Sequence, residues 1–405
     1  MLNHPTFAPW PSFSEEEAEA IKNVLLSNKV NYWTGDECRK FEKEFAEWSG
    51  VDYSIALANG TLALEVALRA LEIGPGDEVI VTPRSFIASI SCVVNVGAIP
   101  IFADVDSESG NITPETILKV LTSKTKGIVC VHFAGWPCDM DPIMTLASQH
   151  NIKVIEDCAQ AHGAIYKGRS VGSIGHIGAW SFCQDKIMTT GGEGGMVTTN
   201  DEILWRKMWA YKDHGKSYEA IYEKEHPPGF RWVHESFGSN FRMIEIQAAI
   251  GRIQLKRISE WSAKRNEITL TILKAFEPFK AIRIPNFKCN RECLKDCFSL
   301  SRCKHAQYKC YVYVDNANLK EGWSRDRIIH EIEMRGAPCF QGGCSEVYLE
   351  KAFEGTSFIP KDRLPIANML GDTSLMFLVH PTLTQENIKK MKEVIADVLK
   401  SASIK

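Results

Sequence analysis

The sequence predicts an α/β fold with a large, mostly parallel sheet followed by a smaller C-terminal α+β domain. Three observations carry this expectation. Short apolar runs of strand length alternate with helical patterns from Ser54 to Asp157, the run Gly127 to His132 is apolar without interruption, and the pattern turns helical beyond Thr199. Alternating strands and helices imply right-handed crossovers and helices on both faces of the sheet. Ligands then sit at the carboxyl ends of the strands.

In chain order, Glu15 to Gly50 has a helical pattern interrupted at Asn28 to Gly35, and reads as an entry arm. Ser54 to Leu57 is a strand. Asn59-Gly60 then opens an apolar-periodic helix, Thr61 to Glu72, closed by Gly74-Pro75-Gly76-Asp77. The alternation continues with strand Glu78 to Val81, helix Ile87 to Val96, strand Pro100 to Ala103, helix Pro114 to Leu121 and strand Gly127 to His132. Helix Met140 to Gln149 leads to strand Lys153 to Glu156, which ends at Asp157. Ala179 to Phe182 and a return strand, Gly195 to Thr199, complete the sheet. An amphipathic run from Met243 to Lys274 carries the chain between domains, so residues 1–255 form the arm and large domain, and 256–405 the linking helix and small domain. The small domain has strands at Lys309 to Val314 and Leu375 to Val379, and helices at Arg325 to Arg335 and Gln385 to Leu399.

A chain of 405 residues, 44% hydrophobic and 24% charged, has enough apolar surface for a large core and a second domain. Its net charge of -3 leaves no basic footprint for nucleic acid and no polybasic membrane segment. The N-terminus lacks a signal-peptide pattern, and no apolar run is long enough to span a bilayer. Thirteen cysteines, several inside strand-like runs such as those at Cys92, Cys130 and Cys183, read as reduced thiols. A cytoplasmic location is therefore expected, with small molecules and further copies of the chain as partners.

Four features suggest pyridoxal phosphate, which needs a Schiff-base lysine, an acid for the pyridine nitrogen, a phosphate cradle and a flat stacking partner. Asp157, at a strand end, could hold the ring nitrogen protonated, although an aspartate there could equally cap a helix. Lys186 precedes Gly191-Gly192-Glu193-Gly194-Gly195, whose glycines let backbone approach a ligand; most lysines are simply solvated. Asn59-Gly60-Thr61 places amides and a hydroxyl at a helix start, where a phosphate is favoured, or where nothing more than a cap is present. Phe86 follows a strand end and could stack on the ring rather than fill the core.

The ordered set Ala58-Asn59-Gly60-Thr61, Ser85-Phe86-Ile87-Ala88, Glu156-Asp157-Cys158-Ala159-Gln160-Ala161-His162-Gly163, Ser181-Phe182 with Lys186, Gly192-Glu193-Gly194-Gly195, and Ser239-Asn240-Phe241-Arg242-Met243 resembles the DegT/DnrJ/StrS family of nucleotide-sugar aminotransferases. The resemblance runs from about Val30 to the C-terminal helix. It implies the aspartate-aminotransferase-like fold (PLP fold type I) with Lys186 as the Schiff-base lysine and Asp157 on the pyridine nitrogen. Gln160 would bond the ring hydroxyl, Gly60, Thr61 and Ser181 would hold the phosphate, and Phe86 would stack. Asn240 would reach the cofactor of a neighbouring subunit, which implies a homodimer with shared active sites. Thr34, Gly35 and His214 match stretches near the sugar. The activity implied is ping-pong transfer of an amino group from an amino acid, by analogy glutamate, to a nucleotide-linked keto sugar, often 6-deoxy.

Gln184-Asp185 occupies a stretch that often carries proline or threonine in such enzymes. Cys289, Cys293, Cys297 and Cys303, with His305 nearby, lack any C-x-x-C pair, and no metal is expected there. Gly163 to Ser170 imitates a phosphate-binding loop, but has Arg169 where lysine is needed and no helix after Ser170. Two other functions compete. Sugar dehydratases of the same family replace the lysine with histidine, against which Lys186 stands, and a non-enzymatic regulator would not need the full set of cofactor residues.

Overall fold

The computed structural model describes residues 7–286 and 302–404. The arm consists of α1 (Glu15–Leu26) and α2 (Glu37–Ser49). Next come β1 (Tyr53–Leu57), α3 (Gly60–Ala70), β2 (Glu78–Val81), α4 (Ala88–Asn95), β3 (Ile99–Phe102), α5 (Pro114–Leu118), β4 (Thr125–Val131), α6 (Met140–Gln149) and β5 (Lys153–Asp157). A hairpin, β6 (Ile165–Tyr166) and β7 (Arg169–Ser170), precedes β8 (Ile177–Ser181) and β9 (Gly195–Thr199). Helices α7 (Glu202–Lys212), α8 (Tyr218–Tyr222) and α9 (Glu245–Leu273) lead to β10 (Ile282–Arg283), β11 (Cys310–Val314), α10 (Arg325–Met334), α11 (Pro365–Thr373), β12 (Ser374–Phe377) and α12 (Gln385–Ala402).

The seven-stranded sheet has the order β1-β9-β8-β5-β4-β2-β3, and β9 alone runs against the others. Its central strands read as unbroken apolar runs because both faces are buried. In β4, Val129 and Val131 join one core while Ile128 and Cys130 join another, as the two-residue period of a strand requires. The small antiparallel sheet β10-β11-β12 works the same way. Val312, Leu375 and Phe377 face the C-terminal core, whereas Tyr311, Tyr313 and Met376 pack on the core shared with β4.

Helix α9 serves two cores, with Ala248, Leu255 and Ile258 in the one beneath the arm and Ile268 and Ile272 in the C-terminal one. We propose that the division between domains falls within this helix, near residue 255.

One expectation needs adjustment. The helix expected to reach Leu121 stops at Leu118, and the Thr122 amide instead bonds Thr125 Oγ1 (3.1 Å), which starts the turn into β4. The Gly163 to Ser170 stretch, already set aside as a phosphate loop, is the β6-β7 hairpin. Its turn residues Lys167 and Gly168 have φ of 48° and 83°, the left-handed geometry that tight hairpins need.

One buried charge braces the sheet behind Asp157. Glu156, fully buried, accepts from His132 Nε2 (3.0 Å) and from the amides of Gly172 (2.9 Å), Ile174 (2.8 Å) and Gly175 (2.6 Å). Burial by itself raises its pKa, but these donors outweigh it and hold the carboxyl below the usual glutamate value. A depressed folded pKa contributes stability that is present above the unfolded value and is lost as pH falls through the folded one. Glu156→Gln is expected to cost about 3–5 kcal/mol at neutral pH, because His132 and three amides lose their anion. The loss is expected to shrink towards acid pH. Denaturant unfolding at pH 7 and pH 4 checks both statements.

Candidate active site

Asp157 ends β5 at the carboxyl edge of the sheet and is 4% exposed. No helix follows it, so the capping alternative fails; its Oδ1 accepts from the Ala159 amide (3.1 Å) in a tight turn. Its Oδ2 accepts from Ser89 Oγ (2.7 Å), and with that proton committed, Ser85 donates to Ser89 (2.8 Å). No cation pairs with Asp157 among the described residues. A buried carboxylate without a cation is costly unless one arrives with a ligand.

Beside it, β8 ends at Ser181, and α3 begins at Gly60. A Cβ on Gly60 would lie 2.5 Å from the Ser181 Cβ, so only glycine brings the helix start against that serine. Asn59 Oδ1 takes the Leu62 amide (3.0 Å) and Asn59 O takes the Ala63 amide (3.2 Å). The Gly60 and Thr61 amides are left pointing out of the helix start, where the dipole favours an anion. Across the same edge, a Cβ on Gly195 would lie 2.3 Å from Asn59 O, so β9 also depends on glycine to reach the cradle.

Lys186 lies in the loop between β8 and β9, its amide bonded to Cys183 O (3.1 Å) and its carbonyl accepting from Trp10 Nε1 (2.8 Å). The Nζ is 3.8 Å from Asp185 Oδ1 and 5.1 Å from the centre of the Tyr308 ring, and the side chain is 15% exposed. Gly191 and Gly192, at φ of 87° and 123°, turn the chain from this loop towards β9. Gln160, half-buried, accepts from the Ala134 amide (2.8 Å). Phe86, next to Ser85, is 69% exposed, so its ring is free to be covered by a ligand. His162, fully buried between Trp180 and Phe182, has no partner on either ring nitrogen among the described residues. Burial, then the charges of Lys186 and Arg265, push its pKa down to about 3, so the imidazole is neutral.

The remaining candidates gather elsewhere on the chain, around Asp213. Asn240, exposed, bridges Asp213; the His214 amide bonds Ser239 O (2.9 Å); and Trp33 Nε1, next to Thr34, donates to Asp213 Oδ2 (2.6 Å). Gly35 has a packing reason of its own, since a Cβ there would lie 2.3 Å from Glu245 Oε2. No described contact joins this group to Lys186 or Asp157.

Sequence reading did not single out Ser89, nor the groups around Lys186: Trp10, Arg265, Tyr308, Lys309 and His380. A serine in the first turn of α4, bonded to the residue that ends β5, is the sole local signal that could have found Ser89. Of the cysteine cluster, Cys289, Cys293 and Cys297 lie outside the described residues. Cys303 is buried against the Lys167 amide (3.3 Å), and burial pushes the pKa of His305 down to about 3. His132, Glu156 and Cys158 have metal-ligating chemistry and lie close together, but Glu156 is committed to the four donors above and His132 Nδ1 to the Cys138 amide (3.0 Å).

The arrangement suits pyridoxal phosphate. It offers an amine, a buried carboxylate awaiting a cation, an anion cradle of amides and a hydroxyl, and a bare aromatic face.

Comparisons with known proteins point the same way. The family profile described as DegT/DnrJ/EryC1/StrS aminotransferase matches residues 11–397. The chain is 42% identical over 262 residues to a GDP-perosamine synthase of Escherichia coli O157:H7, covering 64% of this chain and 68% of that protein. It is 39% identical over 264 residues to a dTDP-3-amino-3,6-dideoxy-alpha-D-galactopyranose transaminase of Aneurinibacillus thermoaerophilus, covering 65% and 68%. An aminotransferase of Psychrobacter cryohalolentis solved by X-ray diffraction superposes with a TM-score of 0.94 at 65% identity, covering 97% of this chain and 99% of that one.

Proposed function

Because the chain belongs to the DegT/DnrJ/EryC1/StrS aminotransferase family, we propose that Lys186 and Asp157 are the chemical centre of its reaction. The protein is a pyridoxal-phosphate-dependent aminotransferase acting on nucleotide-linked keto sugars. The observation that carries the site is Asp157, buried and bonded to Ser89 with no cation of its own among the described residues.

Bound pyridoxal phosphate supplies an electron sink and a carrier for nitrogen. Asp157 holds a proton on the ring nitrogen, and Ser89 fixes the carboxylate's direction. The Gly60 and Thr61 amides with Ser181 bind the phosphate, Gln160 bonds the ring hydroxyl and Phe86 covers the ring. Lys186 Nζ would hold the cofactor through its amine, and it would take a proton from the donor carbon and return one to the sugar carbon. The amino donor is an amino acid, glutamate by analogy, and the two half-reactions alternate. Thr34, Gly35 and His214 approach the sugar, and Asn240 serves the cofactor of a second copy, which makes the working unit a homodimer. The setting is cytoplasmic; no described helix is long and apolar enough to cross a membrane.

A panel of GDP-, dTDP- and UDP-linked keto sugars, incubated with glutamate and analysed by mass spectrometry, tests this. An aminated product from at least one is expected, and none from any would sink the reading. Phe86→Ala is expected to weaken cofactor retention about tenfold through lost stacking. Folding stability should stay unchanged, because the ring is mostly exposed. Dialysis followed by absorbance of the retained cofactor measures the first, and thermal unfolding of the apo protein the second.

A further inference from the structure

We propose that Lys309 and Arg265 form the subsite that holds a carboxylate of the amino-acid donor beside Lys186. This rests on the reading of Lys186 as the amine of transfer. Neither residue fits a core by its own chemistry. Arg265, on the buried face of α9, is 2% exposed, and Lys309, immediately before β11, is 9% exposed.

Among the described residues, Asp185 is the one carboxylate these groups share. Lys186 Nζ is 3.8 Å from it, Lys309 Nζ is 4.0 Å from it, and the Tyr308 hydroxyl donates to it. Among the described residues, Arg265 Nη1 reaches only the carbonyls of Gln307 (3.4 Å) and Tyr308 (3.3 Å), and its Nε and Nη2 have no partner. Its guanidinium lies 5.1 Å from the centre of the Trp10 ring. Among the described residues three cations are therefore set against one carboxylate in a low-dielectric place, and such an excess is costly until an anion completes it.

The titration behaviour agrees. Burial, with Arg265 and Lys186 adding to it and Asp185 opposing, pushes Lys309 down to about 8. Burial also pushes Arg265 down to about 10, and His380 down to about 3, so that imidazole adds no charge. The side chains of Asp185 and Lys186, 41% and 15% exposed, open the cluster to solvent, with Arg265 behind.

Two anions enter this reaction, the donor's carboxylates and the sugar's diphosphate. The donor's α-carboxylate sits on the carbon that bears the transferred nitrogen, so it must come to rest beside the amine of Lys186. The diphosphate is separated from the keto carbon by the sugar ring. A guanidinium fork with a neighbouring ammonium also matches a carboxylate in shape and charge.

Glutarate carries the donor's carboxylates without the amine. It is titrated calorimetrically into the cofactor-loaded protein, alongside a nucleoside diphosphate. Lys309→Met is expected to weaken glutarate binding about ten- to a hundredfold and to raise the KM for glutamate by the same factor. The affinity for nucleoside diphosphate and the KM for the keto sugar should stay within about twofold. Lys309→Arg, which restores the charge, should recover most of the loss, and Lys309→Gln replaces the methionine variant if that one does not fold. Unchanged glutarate affinity in Lys309→Met, or a loss on the nucleotide instead, overturns the proposal. Wild-type protein that binds glutarate yet transfers no nitrogen would sink the functional reading, leaving a dicarboxylate site that serves no donor. Protein that transfers nitrogen yet binds no glutarate would sink the subsite alone.

Discussion

Lys186→Ala is expected to lose amino transfer by about four powers of ten or more and to lose the yellow colour of the bound cofactor. The side chain has two tasks, covalent attachment and proton movement, and general acid–base catalysis alone is worth about two to four powers of ten. The variant should still fold. The loop is held through its backbone, by the Trp10 indole on the Lys186 carbonyl and by the Lys186 amide on Cys183, and alanine retains both bonds. Stopped-flow half-reactions with each substrate, with circular dichroism as the control for folding, measure the two effects. Wild-type turnover in this variant would refute the assignment.

Asp157→Asn is expected to cost about three powers of ten in kcat, near 4 kcal/mol at 1.36 kcal/mol per decade. The amide keeps the shape and can still accept from Ala159, so the turn after β5 survives. What disappears is the negative charge at a position with no other carboxylate bonded to Ser89. A rate near wild type would mean that the ring nitrogen is served by another group. Measuring both half-reactions separately is informative, because a carboxylate that stabilises charge on the ring should matter in each of them.

The framework of the large sheet was legible because its signal is local. Gly127 to His132 could be read as a buried strand from six consecutive residues, and β9 and α6 were placed to the residue from their apolar periods and flanking turns. The proposed cofactor residues Gly60, Thr61, Phe86 and Asp157 are legible for a similar reason, since each lies at a strand end or a helix start, whereas Gln160, Ser181 and Asn240 enter only through the family resemblance. The setting of Lys186 was not. Asp185 is its chain neighbour, but Tyr308 and Lys309 come from the segment before β11, Arg265 from α9 and Trp10 from the stretch before α1, and nothing in their own neighbourhoods marks them as partners. Lys309 precedes a strand whose alternation accounts for Cys310 to Val314 and leaves the lysine looking like a solvated end. Phe86 was legible as a candidate, but its bare ring was not, because exposure depends on what tertiary packing leaves uncovered.

Segments far apart in the sequence meet beside Lys186. Thr382 Oγ1 donates to Pro9 O (2.7 Å), the His380 ring stacks on Trp10 at 6.1 Å, and the same Trp10 holds the Lys186 carbonyl. One indole therefore ties the Lys186 loop to the segment that follows β12, so loosening that distant segment also loosens the backbone that presents the lysine.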